Sequence, residues 1–280
     1  MNNYRDLLGD VFVIGSDRET RTGETISYFC PQQLTYYLED GFPAVTGKKL
    51  AWNLVVGELL WFLSGSTDLK HLRKLSCLDD DANTIWSKDQ KRFMKKCGLT
   101  NSNDCGRIYG HQWRSFNNQV DQINNLIRNL REDPNSRKNI VTSMNPADLT
   151  KQCLSPCHSM FQCYVTNDGK LCISMYQASA DLFLGLPFNI ASYALLLHIL
   201  AKLTGYEVGV LIITIGDAHI YTEHLPAVHK YLSNPTYDSP KLKMPDFKSL
   251  EDLVTNFRAS DFELVDYQHC EPIKAELLCG

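Results

Sequence analysis

The residue best suited to covalent chemistry is Cys157, in the segment Leu-Ser-Pro-Cys-His that ends at His158. It stands where a pattern typical of a β-strand begins, and a strand entrance holds a side chain rigidly while leaving it accessible. A cysteine in such a place is still more often a small core residue than a nucleophile. Adjacent strand residues face opposite ways, so His158 is a poor direct partner, and thiolate formation calls for another nearby cation.

Two further polar segments have side chains suited to binding. The stretch from Gln177 to Asn189 is predicted to be a loop between a strand and a helix. Asn189 precedes an apolar helix, where an N-cap role is expected, yet its amide also offers the donor and acceptor that a uracil edge requires. His219 and Tyr221 alternate onto one face and could grip a sugar hydroxyl; the alternative is a polar strand end.

The hydrophobic pattern predicts which elements position these residues. Residues 50–63 are apolar nearly all round, which indicates a buried helix carrying one carboxylate, Glu58. Apolar residues at helical spacing between Val120 and Leu130 predict an amphipathic surface helix that ends at Asp133-Pro134.

The second half of the chain combines a hairpin with a long helix. Residues 160–165 and 171–176 flank an Asp-Gly pair, a strong signal for a β-hairpin. Residues 188–203 are typical of a second buried helix and residues 208–215 of a fully buried strand. This order predicts an α+β fold, with helices packed on a mixed or antiparallel sheet.

Composition limits the classes of function. The chain has 280 residues, of which 44% are hydrophobic, so one domain spanning residues 1–280 is expected, with a polar surface insertion around residues 77–103. A net charge of −4 favours a small-molecule partner, with no nucleic acid required. The apolar runs are too short to span a bilayer, so no membrane partner is expected. A cytoplasmic location is expected instead. The ten scattered cysteines are expected to be reduced, and no metal site is expected.

Four motifs in order carry a resemblance to a known family. They are IYGHQWR from residue 108, SPCHSMFQ from residue 155, DLFLGLPFNIASYALL from residue 181 and GDAHIY from residue 216. The chain resembles the thymidylate synthase family from Arg21 to Lys274. The resemblance implies the thymidylate synthase-like α+β fold, largely antiparallel, and a homodimer joined back to back through its sheets.

The resemblance also implies a reaction. Cys157 adds to C6 of dUMP, and C5 then attacks the methylene of the co-substrate 5,10-methylenetetrahydrofolate, giving dTMP and dihydrofolate. Glu58 matches a buried glutamate that orders water and moves protons at the pyrimidine O4 and a folate nitrogen, and Tyr109 matches a tyrosine near the departing C5 proton. The residues matching the nucleotide site are Arg21, Arg137, Lys138, Gln177, Ser179, Asn189, His219 and Tyr221. Those matching the folate site are Trp86, Asp181, Leu184, Gly185 and Phe188.

Arg137 and Lys138 match residues that reach the phosphate bound by the other subunit, with a lysine in place of the second arginine. At Ala178 the family has an arginine that binds phosphate beside the thiol. The loop after Arg21 is one residue shorter and carries Glu24.

Two other departures, Ser87 after the tryptophan and Ile215 in place of a glycine, resemble phage deoxycytidylate hydroxymethylases, in which water attacks the exocyclic methylene. Asn189 argues against cytosine, because those enzymes have an acid there. A deoxyuridylate hydroxymethylase, giving 5-hydroxymethyl-dUMP and tetrahydrofolate, is therefore the main alternative. An inactive relative with a binding or regulatory role is the second. A Cys-His acyl hydrolase is disfavoured, because no histidine is expected to face Cys157.

Overall fold

The computed structural model describes residues 3–99 and 102–278, apart from the side chains of Cys30 and Pro31. Six strands form the main sheet, in the spatial order β1-β2-β6-β5-β4-β3. They are β1 (Ser16–Thr20), β2 (Gly23–Tyr37), β3 (Ile140–Thr142), β4 (His158–Val165), β5 (Lys170–Asp181) and β6 (Glu207–Tyr221). Neighbours are antiparallel except for β5 and β6, which are parallel. The predicted mixed, largely antiparallel sheet is confirmed.

Helices alternate with loops over the rest of the described residues. The α-helices of the described residues are α1 (Tyr4–Ile14), α2 (Trp52–Leu63), α3 (Leu69–Leu75), α4 (Ser87–Lys96), α5 (Tyr109–Ser115), α6 (Gln122–Glu132), α7 (Gly185–Thr204), α8 (Leu225–Ser233) and α9 (Leu250–Asn256). A separate two-stranded ribbon pairs β7 (Lys241–Lys243) with β8 (Glu263–Val265). The predicted helices around Glu58 and Leu126 are confirmed as α2 and α6.

Helix α7 is the centre of the core. It is apolar all round because it packs on β5 and β6 on one side and on α2 and α6 on the other. Gly205 ends it in the left-handed conformation, at a φ of 82°, where glycine carries no Cβ penalty. By length and composition alone α7 could cross a membrane. The expectation that every apolar run is too short to span a bilayer is therefore wrong for this helix. Most of the helix is nevertheless buried, as expected of a core helix.

The predicted loop from residue 177 to residue 189 is wrong over most of its length. Residues 177–181 continue β5, because β6 lies alongside and supplies backbone partners as far as the pair of Asp181 and His219. Helix α7 then begins at Gly185, so Asn189 lies within its first turns and is not its N-cap. The connection is a short turn in which Asp181 Oδ1 accepts the backbone N–H groups of Phe183 and Leu184.

The face of the main sheet opposite α7 carries large exposed side chains. In β4 and β5, Phe161 and Met175 point into the core, while Tyr164 and Tyr176 are exposed on the other face.

The segment predicted as an insertion contains α4, whose Met94 is buried. Its origin as an insertion, and the extent of the single domain, stay predictions.

Candidate active site

A cavity of about 660 Å³ opens at the end of the sheet where β5 and β6 terminate. It brings together most of the residues predicted to have a role, namely Arg21, Glu58, Trp86, Cys157, Ser179, Asp181, Leu184, Gly185, Phe188, Asn189, His219 and Tyr221. Tyr109 and Gln177 do not line it but support residues that do. Arg137 and Lys138 are exposed beside β3, outside the cavity of their own subunit.

Cys157 lies immediately before β4, at an irregular point in the sheet. The pairing of β4 with β5 shifts between His158 and Met160, so Ser159 is an extra residue that bends the strand entrance. Two backbone contacts hold Cys157: its N–H donates to Tyr109 Oη at 2.7 Å, and its carbonyl accepts the Ala178 N–H at 2.8 Å. Burial raises the pKa of the Cys157 thiol, so the thiol is protonated at neutral pH.

His158 points away from the thiol into the core, as predicted. Its Nδ1 lies 3.0 Å from Tyr193 Oη, and its ring stacks on Tyr109 with centroids 3.9 Å apart and planes within 6°. Burial lowers the pKa of His158 to about 3, so it is neutral. His158 therefore positions Tyr109, which in turn positions the Cys157 backbone.

Glu58 projects from α2 into the cavity and is half-buried. Its Oε1 accepts a hydrogen bond from Trp86 Nε1 at 2.6 Å. Burial raises the pKa of Glu58 to about 7, against the opposing effect of the Trp86 hydrogen bond. A carboxyl with a pKa near neutrality can both give and take a proton, which suits it to acid–base work.

A pair of amides joins the sheet to helix α7. Gln177 Nε2 donates to Asn189 Oδ1 at 3.0 Å and to the Ser179 carbonyl at 3.0 Å. This contact turns the Asn189 oxygen toward Gln177 and leaves its NH₂ group as a donor for the cavity. Gln177 is 2% exposed and does not line the cavity, so it acts on the cavity through Asn189.

A polar wall runs along the end of β6. The prediction that His219 and Tyr221 share a face is confirmed, since both line the cavity. Ser179 Oγ lies 3.5 Å from His219 Nδ1, and Thr22 Oγ1 lies 2.9 Å from Tyr221 Oη. These hydroxyl and imidazole groups could bind the hydroxyls of a sugar.

The other wall is apolar and aromatic. Trp86 packs edge to face against Trp61 and Phe62, and Leu184 and Phe188 line the cavity nearby. Such a wall suits a flat heteroaromatic ligand. None of the residues described in the structure form a group of three or more His, Cys, Asp or Glu side chains arranged for a metal ion.

Several residues that line the cavity are not among those predicted from the sequence. The most informative are Arg18 and Asp217, whose Nη1 and Oδ2 lie 2.8 Å apart, together with Asp89 on α4 and Leu277 and Leu278 near the C-terminus. Asp217 could have been predicted from the sequence, because it precedes His219 by two strand positions and shares its face. Arg18 could not, since its position depends on how β1 pairs with β2.

Three departures from the family pattern lie outside the cavity lining. Ser87 Oγ accepts the backbone N–H of Thr84 at 2.9 Å at the start of α4, and Ile215 is fully buried in the core. Glu24 is exposed, while its neighbours Thr22 and Thr25 line the cavity. None of these three side chains therefore forms part of the cavity surface.

Comparison with known proteins gives one consistent result. The family model described as thymidylate synthase matches residues 2–279. A protein of Escherichia phage T5 described as a probable thymidylate synthase is 46% identical over 280 residues, covering 99% of both chains. The crystal structure of thymidylate synthase from phage T4 superposes with a TM-score of 0.91 at 39% identity, covering all of both chains. The chain belongs to the thymidylate synthase family.

Proposed function

We propose that the protein transfers a one-carbon unit from 5,10-methylenetetrahydrofolate to C5 of dUMP, giving dTMP and dihydrofolate. The observation that carries this proposal is the composition of one cavity. It holds the Cys157 thiol between an amide donor, Asn189, a polar wall that ends at Tyr221, and an aromatic wall at Trp86. A pyrimidine nucleotide and a reduced folate need these three kinds of surface around one nucleophile.

The proposed reaction begins at the thiol. Cys157 gives up its thiol proton to solvent and its Sγ bonds to C6 of the uracil, so the C5–C6 π electrons move toward O4 and make C5 nucleophilic. C5 then attacks the folate methylene, whose bond to one of its two nitrogens breaks as that nitrogen takes up a proton. C5 afterwards gives its own proton to a base in the cavity. When the folate amine leaves, an exocyclic methylene remains on C5, and a hydride from the folate reduces it as the Cys157 thiol departs from C6.

Three side chains serve this chemistry. The Asn189 NH₂ group donates to the uracil O4, which favours uracil because the amino group of cytosine would meet a second donor. Glu58, with a pKa of about 7, holds and moves protons at O4 and at the folate nitrogen. Tyr109 lies directly behind Cys157, whose backbone N–H it accepts, and the family resemblance implies that it acts on the departing C5 proton; burial raises the pKa of its phenol, so the hydroxyl is neutral.

The alternative hydroxymethylation requires water to reach the exocyclic methylene. Two of the residues that suggest it, Ser87 and Ile215, do not line the cavity. Leu277 and Leu278 do line it, and their apolar side chains favour the exclusion of water. Methyl transfer is therefore the function that the geometry favours. Retention of Cys157, Glu58 and the polar wall in one cavity also argues against an inactive relative.

The product distinguishes the two reactions directly. Incubation with dUMP and 5,10-methylenetetrahydrofolate should release dihydrofolate, followed by its absorbance, and a nucleotide with the mass of dTMP. A nucleotide carrying a CH₂OH group, together with tetrahydrofolate and no dihydrofolate, would establish a hydroxymethylase. An unchanged nucleotide despite tight dUMP binding would support a binding protein.

We further propose that the protein works as a homodimer in the cytoplasm, which is the host cytoplasm if the source is viral. The exposed sheet face with Tyr37, Tyr164 and Tyr176 is a large apolar surface of the kind that subunits cover. Arg137 and Lys138 lie exposed beside β3 and could reach the phosphate in a second subunit. Sedimentation equilibrium tests the dimer, and Tyr164→Glu should shift the mass toward that of one chain.

A further inference from the structure

We propose that Cys105 and Cys153 are a site of covalent modification, a reversible disulfide whose formation lowers the activity of the enzyme by displacing Cys157. Both thiols are free in the structure, and neither lines the cavity. Formation of the disulfide is independent of the proposed function, whereas its effect on turnover rests on that function.

The two cysteines lie opposite each other on two short antiparallel segments. Gly106 pairs with Gln152 in an isolated antiparallel bridge. The next opposed pair is therefore Cys105 and Cys153, and the Cys153 N–H donates to the Cys105 carbonyl at 2.9 Å. Opposed residues of an antiparallel pair point to the same face, with Cα atoms about 5.5 Å apart where they share backbone hydrogen bonds. This separation lies within the range of about 4.4–6.8 Å that disulfides span.

The side chains of the two cysteines are also close to each other. The pKa of the Cys105 thiol is raised, first by a hydrogen bond with the Cys153 side chain and then by burial. Cys105 is fully buried, whereas Cys153 is partly exposed. An oxidant in solution can therefore reach Cys153, while Cys105 is held beside it in the interior as the second thiol of the pair.

The oxidant in this proposal is a peroxide. The Cys153 sulfur, as a thiolate, attacks one oxygen of hydrogen peroxide, breaks the O–O bond and becomes a sulfenic acid, with one water released. Cys105 then bonds to the sulfenic sulfur, and its thiol proton leaves with the hydroxyl group as a second water. In total the two thiols lose two electrons and two protons, and the peroxide is reduced to two waters. A dithiol such as dithiothreitol reverses the reaction by thiol–disulfide exchange.

The disulfide acts on the active site because both segments lead directly to it. Tyr109 follows Cys105 by four residues, and Cys157 follows Cys153 by four. The Cys157 N–H donates to Tyr109 Oη at 2.7 Å, and Leu154 lines the cavity between them and the new bond. The Cβ atoms of opposed residues are about 4.5–5.5 Å apart, whereas a disulfide requires about 3.8 Å, so the segments must move by on the order of 1 Å. A displacement of that size at a reacting group can lower the rate about 100-fold.

Peptide mapping tests whether the disulfide forms. Cys97 and Cys105 share one tryptic peptide, so the experiment uses Cys97→Ser, a change at an exposed position. Chymotryptic cleavage after Leu154 separates Cys153 from Cys157. The protein is treated with hydrogen peroxide, its free thiols are alkylated, and mass spectrometry identifies the linked peptides before and after dithiothreitol.

The same samples test the effect on turnover. In the Cys97→Ser protein, peroxide should link Cys105 to Cys153 and lower kcat for dUMP about 10- to 100-fold, and dithiothreitol should restore it. Cys153→Ser in this background should keep its activity through the same treatment, because burial raises the pKa of Cys157 and keeps that thiol protonated. Cys105→Ala serves as a second variant, and circular dichroism checks that each one folds.

The outcomes separate the parts of the proposal. Oxidised protein without a link between Cys105 and Cys153 would overturn the disulfide. A link that leaves kcat unchanged, or an equal loss of activity in Cys153→Ser, would overturn the displacement of Cys157, since the second result places the damage on another thiol. Protein that makes no product before oxidation would refute the proposed function, and the effect on turnover with it, while the mapping still decides whether the disulfide forms.

Discussion

The hydrogen bond between Trp86 and Glu58 should set the pH at which the enzyme works. Trp86→Phe keeps an aromatic ring against Trp61 and Phe62 but removes the N–H that donates to Glu58 Oε1 at 2.6 Å. A hydrogen bond to a charged group contributes about 1.5–3 kcal/mol, and one pKa unit corresponds to about 1.4 kcal/mol. The pKa of Glu58, about 7 in the wild type, should therefore rise by about 1–2 units in the variant.

The assay is the pH profile of kcat/KM for dUMP, measured by dihydrofolate absorbance. The ionisation near pH 7 should move to higher pH in Trp86→Phe, because the carboxylate loses a donor that stabilises its charge. Trp61→Phe is a matched control: Trp61 is equally buried, and its indole N–H has no hydrogen-bond partner among the described residues. A profile that stays in place in Trp86→Phe, or moves equally in both variants, would refute the assignment of this ionisation to Glu58.

Three further variants test other parts of the site. Cys157→Ser should abolish turnover while keeping the fold, because a hydroxyl is a far weaker nucleophile near neutral pH. Mass spectrometry of the wild type with 5-fluoro-dUMP and folate should place the adduct on Cys157. An adduct on another residue would contradict the mechanism. Asn189→Asp should shift the ratio of kcat/KM from dUMP toward dCMP, because an acid accepts from the cytosine amino group; an unchanged ratio removes Asn189 from base selection. Glu58→Gln should raise the free energy of unfolding at pH 8 by on the order of 3 kcal/mol, because burial raises the pKa of Glu58 from 4.5 to about 7. The folded chain holds that proton more tightly, so wild-type stability falls as the pH rises through this window; denaturant titrations at pH 4 and pH 8 should show the gain of Glu58→Gln at pH 8 alone.

The elements that carry the chemistry were predictable where a strong local pattern existed. The apolar run around Glu58, the Asp-Gly turn at residues 168–169 and the apolar run after Phe188 correspond to α2, the β4–β5 hairpin and α7. Each pattern depends only on which faces of its own segment are buried, so it can be interpreted without knowing which distant residues cover those faces.

What could not be predicted depends on partners far away in the chain. Residues 177–181 extend β5 only because β6 pairs with them, and no local feature of a polar stretch contains that information. Arg18 enters the cavity through the registers of two strand pairs. Gln177 matched the nucleotide site of the family, and its contact with Asn189 appears only once β5 and α7 are packed together.

The arrangement of the main sheet also has a consequence for folding during synthesis. Leu34 of β2 pairs with Ile213 of β6, so the two strands are about 180 residues apart in the chain, a separation that slows folding. On the ribosome β2 emerges early and must wait for β6, while its apolar side chains remain uncovered. The cavity acquires its polar wall only with β6, so a nascent chain shorter than about 220 residues has no complete active site. We expect such chains to be the form that needs chaperones, and to be vulnerable to aggregation when translation stalls.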